Sequence, residues 1–336
     1  MNAHFPDSET VRAALSLANR APSVHNSQPW RWRVGPQSIH LYSDTSKHLP
    51  HTDPDCRDLI VSCGTALNHC VIALAALGWQ SKVSYLPNPA DPDHLASIQP
   101  HPLQPGPVDI ALAAAIPRRR TDRRHYSSWT VPPGDIAVMG SRAARMGVTM
   151  RRVDVTANFH ALLASAVRQH LGDAEYLTEL TQWSGRYAAT AGVPARNTPE
   201  SDPADAIPAR LFAGPVLAQS PDGTDHRDGA TVLALGTATD GVVHRLRAGE
   251  ATSMILLTAT AAGLSSCPIT EPLEIAASRE SIRKGVFDGE SYPQMLLRIG
   301  WAPVNADPLP ATPRRPLEEI VTRLDGSPFE RGAPLE

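Results

Sequence analysis

Two stretches of this chain are close to interchangeable. GTALNHCVIALAALG at residues 64–78 and GEATSMILLTATAAG at residues 249–263 align without a gap, with glycine at both ends and mostly apolar residues between. Each is too apolar all round for a surface helix, so each is expected to be the core helix of its own half. Each is followed by small polar residues and a proline, SKVSYLPNP after the first and SSCPITEP after the second. The chain therefore reads as a tandem duplication of one unit of roughly 130 to 170 residues, an ordinary domain size. The alternative is two alanine-rich buried helices that are alike in composition alone.

Composition narrows the function classes. With 336 residues, 42% hydrophobic and 19% charged, the chain is of ordinary globular type. A net charge of −3 gives no field that would draw it to nucleic acid or an anionic membrane. The first residues, MNAHFPDSETVR, lack the apolar stretch of a signal peptide. The apolar runs near 71–77 and 254–264 read as too short to span a bilayer. A cytoplasmic protein with no membrane and no nucleic-acid partner is expected. Four cysteines make no disulfide framework in a chain this long. Cys56, Cys63 and Cys70 recur every seven residues, more simply as buried thiols than as metal ligands, and no CxxC or HExxH is present.

The segment 20–32, RAPSVHNSQPWRW, carries the densest polar signal. Val11, Ala14, Leu15 and Ala18 form an amphipathic helical stripe with Asp7 or Ser8 as N-cap. Pro22 is expected to end that helix. After Pro29 the period becomes two, with Trp30, Trp32 and Val34 on one face and Arg31 and Arg33 on the other. Gly35-Pro36 then turns the chain into a second alternating run, a hairpin pattern. Ser23, His25, Asn26, Ser27 and Gln28 thus sit in a short loop at a helix–strand junction. They either serve only to turn the backbone or hold a ligand on a rigid scaffold.

A basic cluster, PRRRTDRR, occupies residues 117–124. It can be a nucleic-acid patch, which the acidic balance of the chain opposes, a solvated face, or a phosphate clamp. A smaller group, Thr312-Pro313-Arg314-Arg315-Pro316, lies in an extended arm that ends in a short helix over residues 317–321.

Together these pieces resemble the FMN-dependent nitroreductase family. Ala21-Pro22-Ser23-Val24-His25-Asn26-Ser27-Gln28-Pro29-Trp30 matches that family's first flavin-binding segment, A-P-S-x-x-N-x-Q-P-W. Arg119-Arg120-Thr121-Asp122-Arg123 resembles its phosphate segment, and the turn containing Pro268 and Ile269 resembles the one after its core helix. Pro313-Arg314-Arg315-Pro316-Leu317 resembles its C-terminal arm. More narrowly, the chain is similar over nearly its full length to the Acg-type mycobacterial branch, in which two units are fused.

The resemblance implies an α+β fold of two tandem α/β/α sandwich units, residues 1–110 and 111–336, the second with a lid-like insertion at 185–230 and the arm at 305–336. It implies one FMN per monomeric pseudo-dimer, because only one full set of segments is present: Ser23, His25, Asn26 and Gln28 from the first half, Arg119, Thr121, Arg123 and Arg314 from the second. NADPH or NADH is the implied co-substrate and a small nitroaromatic or quinone-like molecule the electron acceptor. Two functions remain: a flavin oxidoreductase, in which the cofactor carries the chemistry, or a protein that withholds FMN beneath the insertion. A further reading keeps the fold with other flavin chemistry. Residues 185–230 are rich in Pro, Ala, Gly and Asp with little periodicity, as in lids or linkers. Trp183, Arg186 and Tyr187 are further candidates near the ring.

Overall fold

A computed structural model describes residues 5–185, 189–201, 205, 207–219 and 228–329. Arg186 and Tyr187 fall outside these residues, as do parts of the insertion and of the arm.

The first half contains α1 (Ser8–Ala18), β1 (Trp30–Val34), β2 (Ile39–Ser43), α2 (Arg57–Ala76), β3 (Trp79–Tyr85), β4 (His94–Pro102) and α3 (Pro107–Ala115). The second contains α4 (Pro133–Arg145), β5 (Thr149–Val153), α5 (Ala157–Leu171), α6 (Ala174–Trp183), β6 (Thr231–Thr237), α7 (Val242–Ala261), β7 (Ser265–Ile269), α8 (Glu271–Glu274), α9 (Ala276–Phe287) and β8 (Tyr292–Gly300). The arm adds α10 (Leu317–Ile320) and β9 (Val321–Arg323). The elements make an α+β fold with two sheets. One runs β3-β4-β2-β1-β9 and the other β5-β6-β8-β7. Read from the strand that follows the core helix, both have the same order, and β9 extends only the first sheet, parallel to β1.

The alternation around Trp30 works as its period requires: Trp30, Trp32 and Val34 are buried while Arg31 and Arg33 are exposed. Asp7 caps α1 by accepting from the Thr10 N–H. The helix stops at Ala18, short of the proline, where the next N–H groups, of Arg20 and Ala21, bond three residues back to Leu17 O and Ala18 O rather than four. The Asn19 side chain takes distant partners. Its Nδ2 donates to Arg315 O at 2.7 Å, and its Oδ1 accepts from the Trp30 indole. The short helix expected over 317–321 ends one residue earlier, since Val321 pairs with Trp32 in the sheet.

Helix α2 is almost wholly buried, α7 is buried through most of its middle and later turns, and the two pack closely against each other. Helix α2 has 20 residues and is long and apolar enough to cross a membrane, so the shorter run read from sequence understated it. In this fold 83% of its most apolar window is buried inside the protein. The contact is reciprocal. A Cβ on Gly64 would sit 2.2 Å from Leu246 O, and one on Gly249 would sit 2.1 Å from Val61 O. The offset that aligns Gly64 with Gly249 also aligns Val61 with Leu246. It aligns Asn68 with Ser253 too, and Ser253 Oγ donates to Asn68 Oδ1 at 2.7 Å.

In the middle of α7, the buried Glu250 accepts from the Tyr85 hydroxyl at 2.9 Å and lies 3.7 Å from Arg247, whose guanidinium covers the Tyr85 ring. Burial raises the Glu250 carboxyl to about 7. Between the ordinary glutamate value and 7 the folded state binds more protons than the unfolded state. This group therefore costs stability as pH rises through that window. Glu250→Gln is expected to be more stable than the wild type at pH 8, by on the order of 1–3 kcal/mol. The advantage should vanish near pH 3, below both values, where the group is protonated in both states; urea unfolding at the two pH values measures it.

Candidate functional site

Residues 22–29 turn sharply between α1 and β1. His25, Asn26 and Gln28 all take left-handed backbone angles, with φ of 44°, 53° and 53°. Each such residue costs roughly 1 kcal/mol or more, so surrounding contacts must hold it. Those contacts are extensive. Asn26 Nδ2 donates to Gly192 O at 3.0 Å and Pro313 O at 3.1 Å, and its Oδ1 accepts from Arg314 at 2.9 Å. Gln28 donates to Asn26 O and to Thr190 O, and its Oε1 accepts from Arg315 N at 2.8 Å. The loop thus fastens both the arm and the insertion to the first half.

Two adjoining pockets open beside this loop, and Thr121 lines both. The larger takes in about 970 Å³ of empty space, part of it open to solvent. Ser23 and His25 of the loop, Asp58, Ser62 and Thr65 of α2, and Arg123 line one part of it. Thr252 of α7, Cys267, Pro268 and Ile269 of β7, and Arg298 of β8 line another, while Ile207, Pro208, Arg210 and Phe212 of the insertion close it. Arg123 is partly buried, donates to Asn197 O at 3.3 Å and stacks 4.8 Å from the Phe212 ring. Arg298 and Arg210 are paired, with Asp228 and Glu274 respectively. Asp58 lies 2.5 Å from Arg57, and burial pushes its carboxyl well above the usual range.

The smaller pocket, about 370 Å³, gathers Arg20, Arg119, Arg120 and Arg314 around Thr121, Asn197 and Thr312. Among the described residues none of the four guanidiniums has a carboxylate partner. Burial and the neighbouring guanidiniums lower Arg119 to about 10 and Arg314 to about 9. The Nε atoms of Arg20, Arg119 and Arg314 are buried without a hydrogen-bond partner. Arg314 Nη2 also donates to the carbonyls of Arg20 and Ala21 just beyond the end of α1. Four cations packed together without an anion are unfavourable by themselves, and the donor set suits a phosphate group.

The residues singled out from sequence thus separate by place. Ser23, His25, Arg123, Pro268 and Ile269 line the larger pocket; Arg119, Arg120 and Arg314 line the smaller; Thr121 joins them. Asn26, Ser27, Gln28, Pro29, Trp30 and Arg315 line neither. Trp30 is core, Ser27 is wholly buried, Pro29 O accepts from Asp44 N, and Arg315 forms a buried pair with Asp44 at 3.1 Å. Cys63 and Cys70 are buried along α2, Cys56 precedes it, and no metal-binding cluster occurs among the described residues. Sequence reading missed Arg20, Asp58, Arg210 and Glu274. Arg20 opens the quoted loop motif, and a charged pair at the head of so apolar a helix as α2 was the available signal for Asp58.

No protein-family model matches the chain. It is 62% identical to the Mycobacterium tuberculosis H37Rv protein named "Putative NAD(P)H nitroreductase Rv3131", over 96% of this chain and 93% of that one. It is 36% identical to the M. tuberculosis H37Rv protein named "Putative NAD(P)H nitroreductase acg", over 93% and 95%. The FMN-dependent nitroreductase NfnB of Mycobacterium smegmatis, solved in complex with NADPH, is 17% identical with a TM-score of 0.39, over 65% of this chain and 99% of that one. The chain belongs to the nitroreductase family, in the mycobacterial branch that contains Rv3131 and Acg.

Proposed function

We propose that the chain is an FMN-binding NAD(P)H oxidoreductase whose single cofactor site spans the two adjoining pockets. The observation that carries this reading is the cluster of four arginines with no carboxylate partner among the described residues, which adjoins the larger pocket through Thr121. Arg20, Arg119, Arg120 and Arg314 hold the phosphate. Thr121 serves the linking chain, and Ser23, Arg123, Pro268 and Ile269 flank the ring. Bound there, FMN would supply the redox chemistry between NADPH or NADH and a small nitroaromatic or quinone-like acceptor. The protein supplies orientation, positive charge and exclusion of water. No side chain is required as a nucleophile.

The same reading makes the chain two fused units, residues 1–110 and 111–336, that meet as subunits of a dimer do. The matching strand orders support it, as does the reciprocal Gly64–Gly249 contact, which is the pattern of an isologous interface. It also explains one cofactor per monomer. Ser62 and Thr65 line the larger pocket, and the residues aligned with them are Arg247 and Glu250, which pair with each other and with Tyr85. The place of a second site is filled by side chains.

A second reading, in which the protein withholds flavin, is favoured by one observation: Arg210 binds the insertion over the larger pocket through its buried pair with Glu274. Comparison of FMN with riboflavin tests the site itself. Riboflavin, lacking the phosphate, is expected to bind at least about 100-fold more weakly, since several charged hydrogen bonds of about 1.5–3 kcal/mol each are lost. Equal affinities would remove the arginine pocket from the account.

A further inference from the structure

We propose that His25 presents a fixed Nδ1–H to an uncharged acceptor atom of the molecule bound in the larger pocket, and that Arg210 of the insertion sets this tautomer. The proposal deepens the flavin reading and rests on it for the ligand, but not for the tautomer.

Arg210 Nη1 lies 2.7 Å from His25 Nε2. A guanidinium nitrogen can only donate, so Nε2 must be the bare, accepting nitrogen and the ring proton must reside on Nδ1. That is the less common tautomer of a free imidazole. Arg210 is itself held in place: Nη1 also donates to the Tyr176 hydroxyl at 2.7 Å, and Nη2 bonds Thr270 at 3.1 Å and pairs with Glu274. Four segments therefore converge on one imidazole edge: the loop, α6, the insertion and the α8 region.

The nitrogen on the other edge is left unsatisfied. His25 is 6% exposed, lines the larger pocket, and its buried Nδ1 has no hydrogen-bond partner. A buried donor without an acceptor is unfavourable, and a bound carbonyl, imine nitrogen, nitro or quinone oxygen relieves it. The left-handed backbone at His25 holds the ring in this position. The groups facing it do not allow a second proton. Burial, then Arg210, Arg123 and His170, push its pKa well below the ordinary value. His25 is consequently a donor of constant charge across the physiological range rather than a titrating acid.

Nitrogen NMR of ¹⁵N-histidine-labelled full-length protein reads the tautomer directly. The expected spectrum has a protonated Nδ1 and a bare Nε2 for His25, unchanged between about pH 5.5 and 8. The Arg210→Met/Glu274→Gln double variant removes both members of the pair, so that no buried charge is stranded. In it the proton is expected to move to Nε2 or the ring to titrate. A wild-type Nε2–H ring, a ring titrating near 6.5, or a double variant with an unaltered spectrum overturns the tautomer claim.

His25→Phe, similar in shape and unable to donate, identifies the acceptor. Flavin affinity about tenfold weaker assigns the acceptor to the ring. Unchanged flavin affinity with about tenfold weaker binding of 4-nitrobenzoate, measured without reductant, assigns it to the electron acceptor. No change in either overturns the donor role. Protein that takes up no flavin yet shows the fixed Nδ1–H overturns the cofactor reading and leaves the tautomer standing.

Discussion

Arg119→Met is expected to weaken FMN binding roughly 10- to 150-fold, the loss of one charged hydrogen bond of about 1.5–3 kcal/mol. The flavin-free protein is expected to melt no lower than the wild type. The two effects have one cause. Arg119 is buried among other guanidiniums, its nearest hydrogen-bond contact is a long one of 3.5 Å to Thr121, and its pKa is lowered to about 10. It is unfavourable without an anion and favourable with one, as at binding sites that trade stability for function. Flavin fluorescence titration measures the first effect and thermal unfolding of the flavin-free form the second. A drop in melting temperature with unchanged affinity would assign Arg119 to structure alone. Arg314 differs, because it also bonds Asn26 and the carbonyls after α1. Its loss is expected to lower stability as well as affinity.

Gly64→Ala is expected to destabilise the protein by about 3 kcal/mol, at the upper end for overpacking. The added Cβ would meet Leu246 O at 2.2 Å and Gly249 Cα at 3.0 Å. Both are backbone atoms of a buried helix, so no side chain can turn away. Only separation of α2 from α7 relieves the clash. Since domain stabilities run to about 5–15 kcal/mol, the change is a large share of the total. The pocket is lined by Thr65 of α2 and Thr252 of α7, so its walls would shift with the helices. The urea midpoint, with the m-value unchanged, measures the loss. A midpoint equal to that of the wild type would contradict the close packing. Gly249→Ala, facing Val61 O at 2.1 Å, is expected to match it.

What was legible in the sequence was local or repeated. The all-apolar segments between paired glycines became α2 and α7, and the period-two run after Pro29 became β1. The loop and the two arginine groups were recognisable from their residue types, and the structure brings Arg119, Arg120 and Arg314 into one pocket. What escaped was long-range. Nothing near Asn19 announces that its side chain will serve Trp30 and Arg315, or that α1 will end at Ala18, four residues before Pro22. Asn26 and Gln28 have the residue types of ligand contacts, yet their partners are the Arg314 side chain and backbone atoms up to about 290 residues away, which no local pattern encodes. The insertion has little periodicity because its described residues form no long helix or strand. Single side chains such as Arg210 hold it down instead.

The most direct test is the visible spectrum of the purified full-length protein, loaded with FMN, freed of excess and titrated anaerobically with NADPH. The expected result is one flavin per chain, with the oxidised flavin band bleaching on addition of NADPH. Protein that retains no flavin, or two per chain, would contradict the single-site account. One flavin per chain that resists NADPH and NADH but yields to dithionite would contradict the oxidoreductase and favour a protein that withholds its cofactor.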